Sequence, residues 1–339
     1  MRENSTKPPQ PHISEPADVA ESRFISVAIP TFRRPDTIRR AIDSVLHQDF
    51  SNWELIVSDD EGPDGQTWAM LTDYARADPR IRIVENRRGR GQVENTNNVM
   101  LACRGSWIKL LHDDDWLAPK ALGTFAQVAQ QYPSAAFITC ATNRVEDDRV
   151  KLRSARPGKK HVTVCSSQQT LKDLYLVRTT RSFGIIPSSL LVNSIVVQNG
   201  CLMRTYKSIT AGVDQLFFID LARHGDMVMI EDGLIFYDAT NHSSVTASTT
   251  FDDVDRETID LKHLTWSLIE DKHELPDPET IAGALQVARL RSRFRHQPWG
   301  STIRHALQIF HPSVTKAVNQ DIFARVQAVL RRRLRRTNW

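Results

Sequence analysis

Short apolar runs alternate with amphipathic stretches over the first half of the chain. The runs at 24–30 and 53–58 are rich in valine and isoleucine and have the length of buried strands. Between them, from Asp36 onward, apolar residues recur every three or four positions, which predicts a helix ending near Gln48. The alternation continues with predicted strands at 80–84 and 106–111 and predicted helices at 66–77 and 95–103. This order of elements predicts an α/β fold with a mostly parallel sheet flanked by helices.

Polar residues follow each of the four predicted strands directly. These clusters lie at 31–34, 59–60, 86–91 and 113–115. Ligands of an open α/β sheet bind beyond the carboxyl ends of its strands, where such clusters lie close together. Each cluster alone is compatible with a solvated turn, but four in succession favour one shared site at this edge of the sheet.

The second half of the chain is less regular. A helix at 117–132, strands at 135–142, 185–192, 227–230 and 234–237, and a helix capped by Asp214 are predicted there. Residues 143–165 are charged and hold few apolar residues, so we expect an exposed excursion. From Phe251 the pattern is helical to the end of the chain, with breaks at prolines.

Three adjacent carboxylates, Asp113, Asp114 and Asp115, follow the apolar strand that ends at Leu111. Like charges at this spacing repel one another unless a cation lies between them. Hard divalent cations such as Mg²⁺ bind one or two carboxylates together with substrate phosphates. The run therefore predicts either a metal-phosphate site at the end of a strand or an acidic cap for the following helix.

Charge is distributed unevenly along the 339 residues. The formal net charge is only +4, but arginines cluster at 331–336 and Asp321 is the sole acid after about residue 282. Such a basic end can contact phosphate-rich surfaces, including an anionic membrane or a nucleic acid. The four cysteines are widely spaced and carry no zinc-site pattern, which is typical of core residues in a reducing compartment.

The ends of the chain differ in character from its middle. Residues 1–22 are polar and proline-rich and lack the apolar core of a signal peptide, so we expect a disordered tail. No run of ~18 apolar residues, which a spanning helix needs, occurs in the sequence. We therefore expect a cytoplasmic protein with an α/β domain at 23–250 and a basic helical region at 251–339.

Five motifs carry a family resemblance. They are VAIPTFRRP at 27–35, SVLHQ at 44–48, WELIVSDD at 53–60, NTN at 95–97 and IKLLHDDDWL at 108–117. In this order and spacing the chain resembles the family 2 glycosyltransferases over roughly 24–248. The resemblance implies a GT-A fold and an inverting transfer of a sugar from a nucleotide donor, expected to be a UDP-sugar, to an acceptor hydroxyl.

The same resemblance implies a set of donor-binding residues. They are Pro30, Thr31, Arg34, Asp59, Asp60, Asn95, Asn97 and Asp113. Pro30, Thr31 and Arg34 would line the base and ribose pocket. Asp59 would accept a hydrogen bond from the base edge, as an ionised carboxylate can, and Asp60 would support the same turn.

The resemblance further implies a metal and a base. Asp114 matches the carboxylate of the family's Asp-x-Asp signature that binds Mn²⁺ or Mg²⁺, whereas His112 occupies the position of the first acid and departs from the pattern. His242 matches a histidine that contacts the metal or the diphosphate. Asp214, about one hundred residues beyond the metal motif, matches the general base, although an aspartate at a helix start also serves as a cap.

The implied partners are a nucleotide-sugar donor and a saccharide or lipid-linked acceptor, in the synthesis of polysaccharide, glycolipid or glycoconjugate. The basic C-terminus would allow peripheral contact with the inner face of the membrane. Two other classes stay open. A nucleotidyltransferase usually has a glycine-rich loop after its first strand, which 30–34 lacks. A nucleic-acid-binding protein would need a recognisable motif, and since none occurs, no nucleic-acid partner is expected.

Overall fold

The computed structural model of the protein describes residues 24–146, 149–151, 161–176, 186–238, 251–273 and 275–285. The tail expected at 1–22, the basic segment beyond residue 285 and His242 lie outside these residues. Within them the chain forms one mixed sheet with helices on both faces.

The sheet has ten strands in the part of the chain that the structure describes. They are β1 (Ile25–Thr31), β2 (Trp53–Asp59), β3 (Ile81–Glu85), β4 (Trp107–Leu110), β5 (Trp116–Leu117), β6 (Phe137–Glu146), β7 (Arg149–Lys151), β8 (Val162–Cys165), β9 (Leu191–Asn193) and β10 (Met227–Asp238). The helices are α1 (Pro35–Leu46), α2 (Trp68–Ala77), α3 (Gln92–Ala102), α4 (Ala121–Gln131), α5 (Ser167–Tyr175), α6 (Ser194–Gln198), α7 (Val213–Ala222) and α8 (Phe251–Leu268). A 3₁₀ turn occupies Pro187–Ser189, and residues 278–285 are helical.

The strand order along the sheet is β3-β2-β1-β4-β9-β6-β10-β5, with β7 paired to β6 and β8 to β10. Strands β1 to β4 run parallel, as the alternation of strands and helices predicts. Strand β9 is antiparallel to both β4 and β6, while β6 and β10 are parallel, so the later strands make the sheet mixed. The predicted α/β fold is confirmed, and the carboxyl ends of β1, β2 and β4 meet at one edge.

Alternate residues of β1 belong to two hydrophobic clusters. Val27 and Ile29 join the cluster that contains α1 and α4, and Ala28 joins the cluster that contains α3 and α7. Every residue of β1 is buried, which explains why the strand has a continuous apolar run. Helix α8 packs on α5 and α7, with Leu261 in the second cluster. Leu261, which lies beyond the boundary expected at 250, therefore shares a hydrophobic cluster with residues of the α/β domain, and the boundary itself stays a prediction.

The helix expected from residue 117 begins only at Ala121. Leu117 instead belongs to β5, which pairs with β10, and its N–H donates to Ser44 Oγ at 3.0 Å. Pro119 disfavours helical backbone at the residue before it, so the helix cannot begin there.

Two further stretches depart from the pattern. The strand expected at 185–192 is a 3₁₀ turn followed by the short β9. The strands expected at 227–230 and 234–237 are one strand, β10, with irregular register between them. No helix among the described residues has the length and apolar composition needed to cross a bilayer.

Candidate active site

One cavity of about 650 Å³ lies at the carboxyl ends of β1 and β4, against the N-terminal ends of α3 and α7. It is lined by Pro30, Thr31, Phe32, Arg34, Asp60, Arg90, Gly91, Gln92, Asn95, His112, Asp113, Asp114, Asp115, Ile186, Pro187, Ala211, Asp214 and Tyr237. All four polar clusters that follow the parallel strands contribute to this lining. The shared site expected at this edge of the sheet is therefore a single cavity.

Arg34 connects the end of β1 to the acidic run. Its guanidinium donates to Asp113 Oδ1 at 3.1 Å and to Asp114 Oδ2 at 2.7 Å. Thr31 Oγ1 donates to the other oxygen of Asp113 at 2.7 Å. Asp113 is 6% exposed, and burial raises its pKa although Arg34 and Thr31 favour the ionised form. Arg34 thus supplies part of the positive charge that adjacent carboxylates require.

His112, Asp114 and Asp115 form a cluster that could hold a divalent cation. One ligand atom from each residue lies within 4.8 Å of the other two. His112 Nε2 is buried and has no hydrogen-bond partner in the described part of the chain, so a metal could use it. Two carboxylates and an imidazole are compatible with Mn²⁺ or Mg²⁺.

Asp115 belongs to this cluster, although the sequence did not predict it as a metal ligand. The residue is 2% exposed, and burial together with the charge of Asp114 raises its pKa to about 7. The alternative prediction, in which the acidic run caps the following helix, is wrong, because α4 begins only at Ala121 and its cap residue is Lys120. The sequence feature that could have indicated a metal ligand at Asp115 is the presence of a third adjacent acid, since a single carboxylate is enough to cap a helix.

Asp214 lies in the first turn of α7 and lines the same cavity. Gln92 Nε2 donates to its Oδ1 at 3.4 Å. Burial raises the pKa of Asp214, and the nearby His112 partly offsets this by favouring the ionised form. A carboxylate with a raised pKa and a long hydrogen bond is suited to accept a proton.

Asp60 and Asn95 hold the turns around the cavity in place. Asp60 accepts hydrogen bonds from Asn86 Nδ2 at 2.6 Å and from the Gly91 N–H at 2.9 Å. Asn95 Nδ2 donates to the carbonyl of Thr31 at 3.0 Å and to the carbonyl of Ser58 at 3.1 Å. These contacts fasten the ends of β1 and β2 to the start of α3.

Three expected site residues are not seen on the cavity wall. Asp59 is fully buried, with the Glu61 N–H on its Oδ1 at 3.0 Å and no partner for Oδ2 among the described residues. Asn97 exchanges hydrogen bonds of 2.8 and 2.9 Å with the main chain of Met203, so its amide packs α3 onto the segment before α7. His242 lies outside the described residues.

The 3₁₀ turn supports the acidic run from one side. Ser188 Oγ accepts the N–H of His112 at 2.9 Å. Lys109 is fully buried and donates to the carbonyls of Leu110 at 2.6 Å, Leu190 at 3.2 Å and Ser188. Burial lowers the pKa of Lys109 to about 8. This lysine joins β4 to the turn that contacts His112.

Arg40 supports the acidic run from another side. It donates to the carbonyl of Asp114 at 2.9 Å and to Asp238 Oδ2 at 3.0 Å. Its guanidinium also lies 3.8 Å from the ring centroid of Trp116, and Phe236 stacks on that ring at 5.2 Å. Trp116 therefore packs the acidic run against β10.

Residues 26–186 match the family model described as glycosyl transferase family 2. Over 171 residues the chain is 31% identical to a Campylobacter jejuni protein named GalNAc(5)-diNAcBac-PP-undecaprenol beta-1,3-glucosyltransferase. That alignment covers 50% of this chain and 53% of the relative. The chain spans 13% to 53% of the length of three curated relatives that it matches.

Solved structures resemble the fold over most of the chain. Staphylococcus aureus TarS 1-349, also solved with UDP and with UDP-GlcNAc, gives a TM-score of 0.56 at 15% identity, covering 90% of this chain and 82% of TarS. The mannosyltransferase PcManGT of Pyrobaculum calidifontis, in complex with GDP-Man and Mn²⁺, gives 0.50 at 14% identity, covering 90% and 86%. At these identities the likeness establishes the fold, which is GT-A. Residues 26–186, which carry the strand-end motifs and most of the cavity lining, are thus the part of this chain that is similar to glycosyl transferase family 2.

Proposed function

We propose that this chain is an inverting, metal-dependent glycosyltransferase that uses a UDP-sugar. The observation that carries the proposal is that Asp214 lines the same cavity as the cluster of His112, Asp114 and Asp115. Glycosyl transfer needs a group that stabilises the leaving diphosphate and a base for the acceptor hydroxyl. The cavity offers carboxylates for both roles on separate elements.

The donor nucleotide would bind across the ends of β1 and β2. Pro30, Thr31 and Arg34 would line the base and ribose. Asp59 is proposed to accept from the base edge through its Oδ2, which has no hydrogen-bond partner among the described residues, although its side chain is fully buried and does not line the cavity. Asp113, held by Thr31 and Arg34, would face the donor in a fixed orientation. TarS, which has been solved with UDP and UDP-GlcNAc, supports a UDP-sugar.

Asp114, with His112 and Asp115, would hold Mn²⁺ or Mg²⁺, and His242 is proposed as a further ligand. The fit rests on the grouped ligand atoms and on the unpartnered Nε2 of His112. When bound, the cation neutralises charge that develops on the leaving diphosphate. Arg34, which contacts Asp114 at 2.7 Å, adds positive charge at the same place. PcManGT, solved with Mn²⁺, supports a divalent cation in this fold.

Asp214 would take the proton from the acceptor hydroxyl. The acceptor oxygen forms its bond to the anomeric carbon on the face opposite the leaving group, and the bond to the diphosphate oxygen breaks, so the configuration inverts. The raised pKa of Asp214 strengthens it as a base relative to an exposed carboxylate. Gln92 lies close enough to orient the carboxylate.

The acceptor would be a lipid-linked saccharide. The Campylobacter jejuni relative, whose name includes PP-undecaprenol, supports this class. The arginines at 331–336 would then contact an anionic membrane at its cytoplasmic face, at ~1 kcal/mol for each basic residue near the surface. Co-sedimentation with phosphatidylglycerol vesicles should fall when residues 330–339 are deleted, and unchanged binding would contradict the membrane contact.

Turnover of nucleotide sugars by the full chain tests the proposed reaction. UDP-glucose and UDP-N-acetylglucosamine are incubated with Mn²⁺, and released UDP is measured. We expect release that requires the metal, is lost in Asp114→Ala, and falls by about 10²–10⁴-fold in Asp214→Asn. Asp64→Asn is the matched control and should keep full activity, because Asp64 is exposed and does not line the cavity.

The same assay separates the other two classes. Release of pyrophosphate instead of UDP would indicate nucleotidyl transfer. Nucleic-acid binding without any turnover would indicate a binding protein. Either result would contradict the proposal.

A further inference from the structure

Helix α8 holds the segment that leads into α7. Glu257, on α8, accepts hydrogen bonds from the N–H groups of Thr210 and Ala211 at 2.9 Å and of Gly212 at 2.7 Å. The hydroxyl of Thr210 donates to the same carboxylate at 3.1 Å. Glu257 is 4% exposed, so water scarcely competes for these bonds. Hydrogen bonds to a charged acceptor are stronger than those between neutral groups, which makes this carboxylate a firm anchor.

Two neighbours of Glu257 hold the same segment. Asp260 accepts from the N–H of Ser208 at 3.2 Å and from its hydroxyl at 2.6 Å. Leu261 packs against Gly212, where an added Cβ would meet its Cδ1 at 3.5 Å. Residues three and four apart share one face of a helix, so one face of α8 fastens the whole segment 208–212.

Gly212 connects this anchor to the cavity. It is the residue before α7, and its carbonyl accepts the N–H of Leu216 at 3.1 Å as the first turn begins. Asp214 lies two residues later, in that turn. A Cβ at position 212 would come within 3.0 Å of Glu257 Oε2, so glycine permits the close approach. The location of the Glu257 carboxylate therefore fixes where α7 starts and where Asp214 meets the cavity.

We propose that Glu257 is a positioning residue for glycosyl transfer, which fixes the first turn of α7 so that the Asp214 carboxylate stands at the acceptor hydroxyl. The inference rests on the proposed function, in which Asp214 is the base. Glu257 does not line the cavity, so it acts through Asp214. On the nucleotide side of the cavity, Asp113 is held by Thr31 at 2.7 Å and by Arg34 at 3.1 Å, two residues at the end of β1 rather than on α8.

Three variants perturb this contact in different ways. Glu257→Gln keeps the size of the side chain but removes its charge and replaces one of the two acceptor oxygens with an NH₂ donor, so the main-chain N–H donors at that oxygen lose their acceptor. Glu257→Asp keeps the charge and both acceptor oxygens. Gly212→Ala presses on the carboxylate from the other side, at a φ of −81° that alanine adopts readily. Glu270→Gln is the matched control, because Glu270 is exposed just beyond α8.

The full-length variants are compared by UDP release from UDP-glucose and UDP-N-acetylglucosamine with Mn²⁺, by calorimetry of UDP binding, and by thermal unfolding. We expect Glu257→Gln and Gly212→Ala to lower kcat by about 10- to 100-fold. KM and UDP affinity should stay within about twofold of the wild type, because only the base is displaced. In Glu257→Gln and Gly212→Ala, the acid limb of the plot of kcat against pH should shift relative to the wild type. Glu257→Asp should recover part of kcat, and Glu270→Gln should match the wild type.

Two results would overturn the inference while the wild type is active. One is a wild-type kcat in Glu257→Gln, measured well below its unfolding temperature. The other is an equal loss of kcat and UDP affinity, which would indicate general unfolding. A wild-type chain that releases no UDP would overturn the proposed function first, and this inference with it.

Discussion

Asp115→Asn should make the protein more stable near neutral pH while weakening the proposed metal site. Asp115 is 2% exposed, and burial and the adjacent charge of Asp114 raise its pKa from 3.8 to about 7. In the unfolded chain the residue ionises at its ordinary pKa. Between these two values the folded state holds a proton that the unfolded state has released, so the stability from this group falls as pH rises.

The magnitude follows from the size of the shift. A change of roughly 3 pKa units at 1.36 kcal/mol per unit corresponds to ~4 kcal/mol. This stability is fully present below about pH 4 and is lost by about pH 7, at ~1.4 kcal/mol per pH unit. An asparagine at the same position stays neutral throughout. The free energy of unfolding of Asp115→Asn, relative to wild type, should therefore rise by ~3 kcal/mol between about pH 5 and 7.5.

Urea unfolding with EDTA over this pH range measures the difference directly. Asp64→Asn, at an exposed position, is the control and should show a small difference that does not change with pH. A difference between Asp115→Asn and wild type that stays constant across the range would refute the raised pKa. With Mn²⁺ in place of EDTA, the melting temperature of wild type should rise, and that of Asp115→Asn should rise less, because one ligand is gone.

Three further outcomes are expected. Lys109→Met should lower stability by ~2–4 kcal/mol in chemical unfolding, because it removes the three hydrogen bonds that the buried ammonium group donates to the carbonyls of Leu110, Ser188 and Leu190; an unchanged midpoint would contradict this. Asn97→Ala should lower stability by ~2 kcal/mol, because the main-chain N–H and carbonyl of Met203 lose their hydrogen-bond partners, and it should retain UDP affinity. A loss of UDP affinity would instead indicate that Asn97 binds the donor. The acid limb of kcat should lie above the pH of an ordinary carboxyl group, because activity is lost as Asp214 gains its proton at a raised pKa; a limb near pH ~4 would argue against this base.

The expected elements of the parallel half of the sheet agree closely with the structure. Periodicity alone placed β1 within one residue of its bounds, because a strand buried on both faces must be apolar throughout. It failed at Leu117, where an apolar residue suits a helix and a strand equally. The choice was made by the pairing of β5 with β10, a contact between residues far apart in sequence.

The site divides in the same way. The residue pattern is enough to predict that polar clusters follow successive parallel strands, and chain topology then requires these clusters to share one edge. It could not determine which side chains face the cavity. Asn97 lies in a motif of the family resemblance, yet its side chain is hydrogen-bonded to the main chain of Met203. Glu257 lies in no such motif, yet it accepts hydrogen bonds from the turn before Asp214. Such roles depend on which groups share a buried space. Folding brings those groups together, because burial and hydrogen bonding join residues that are far apart along the chain.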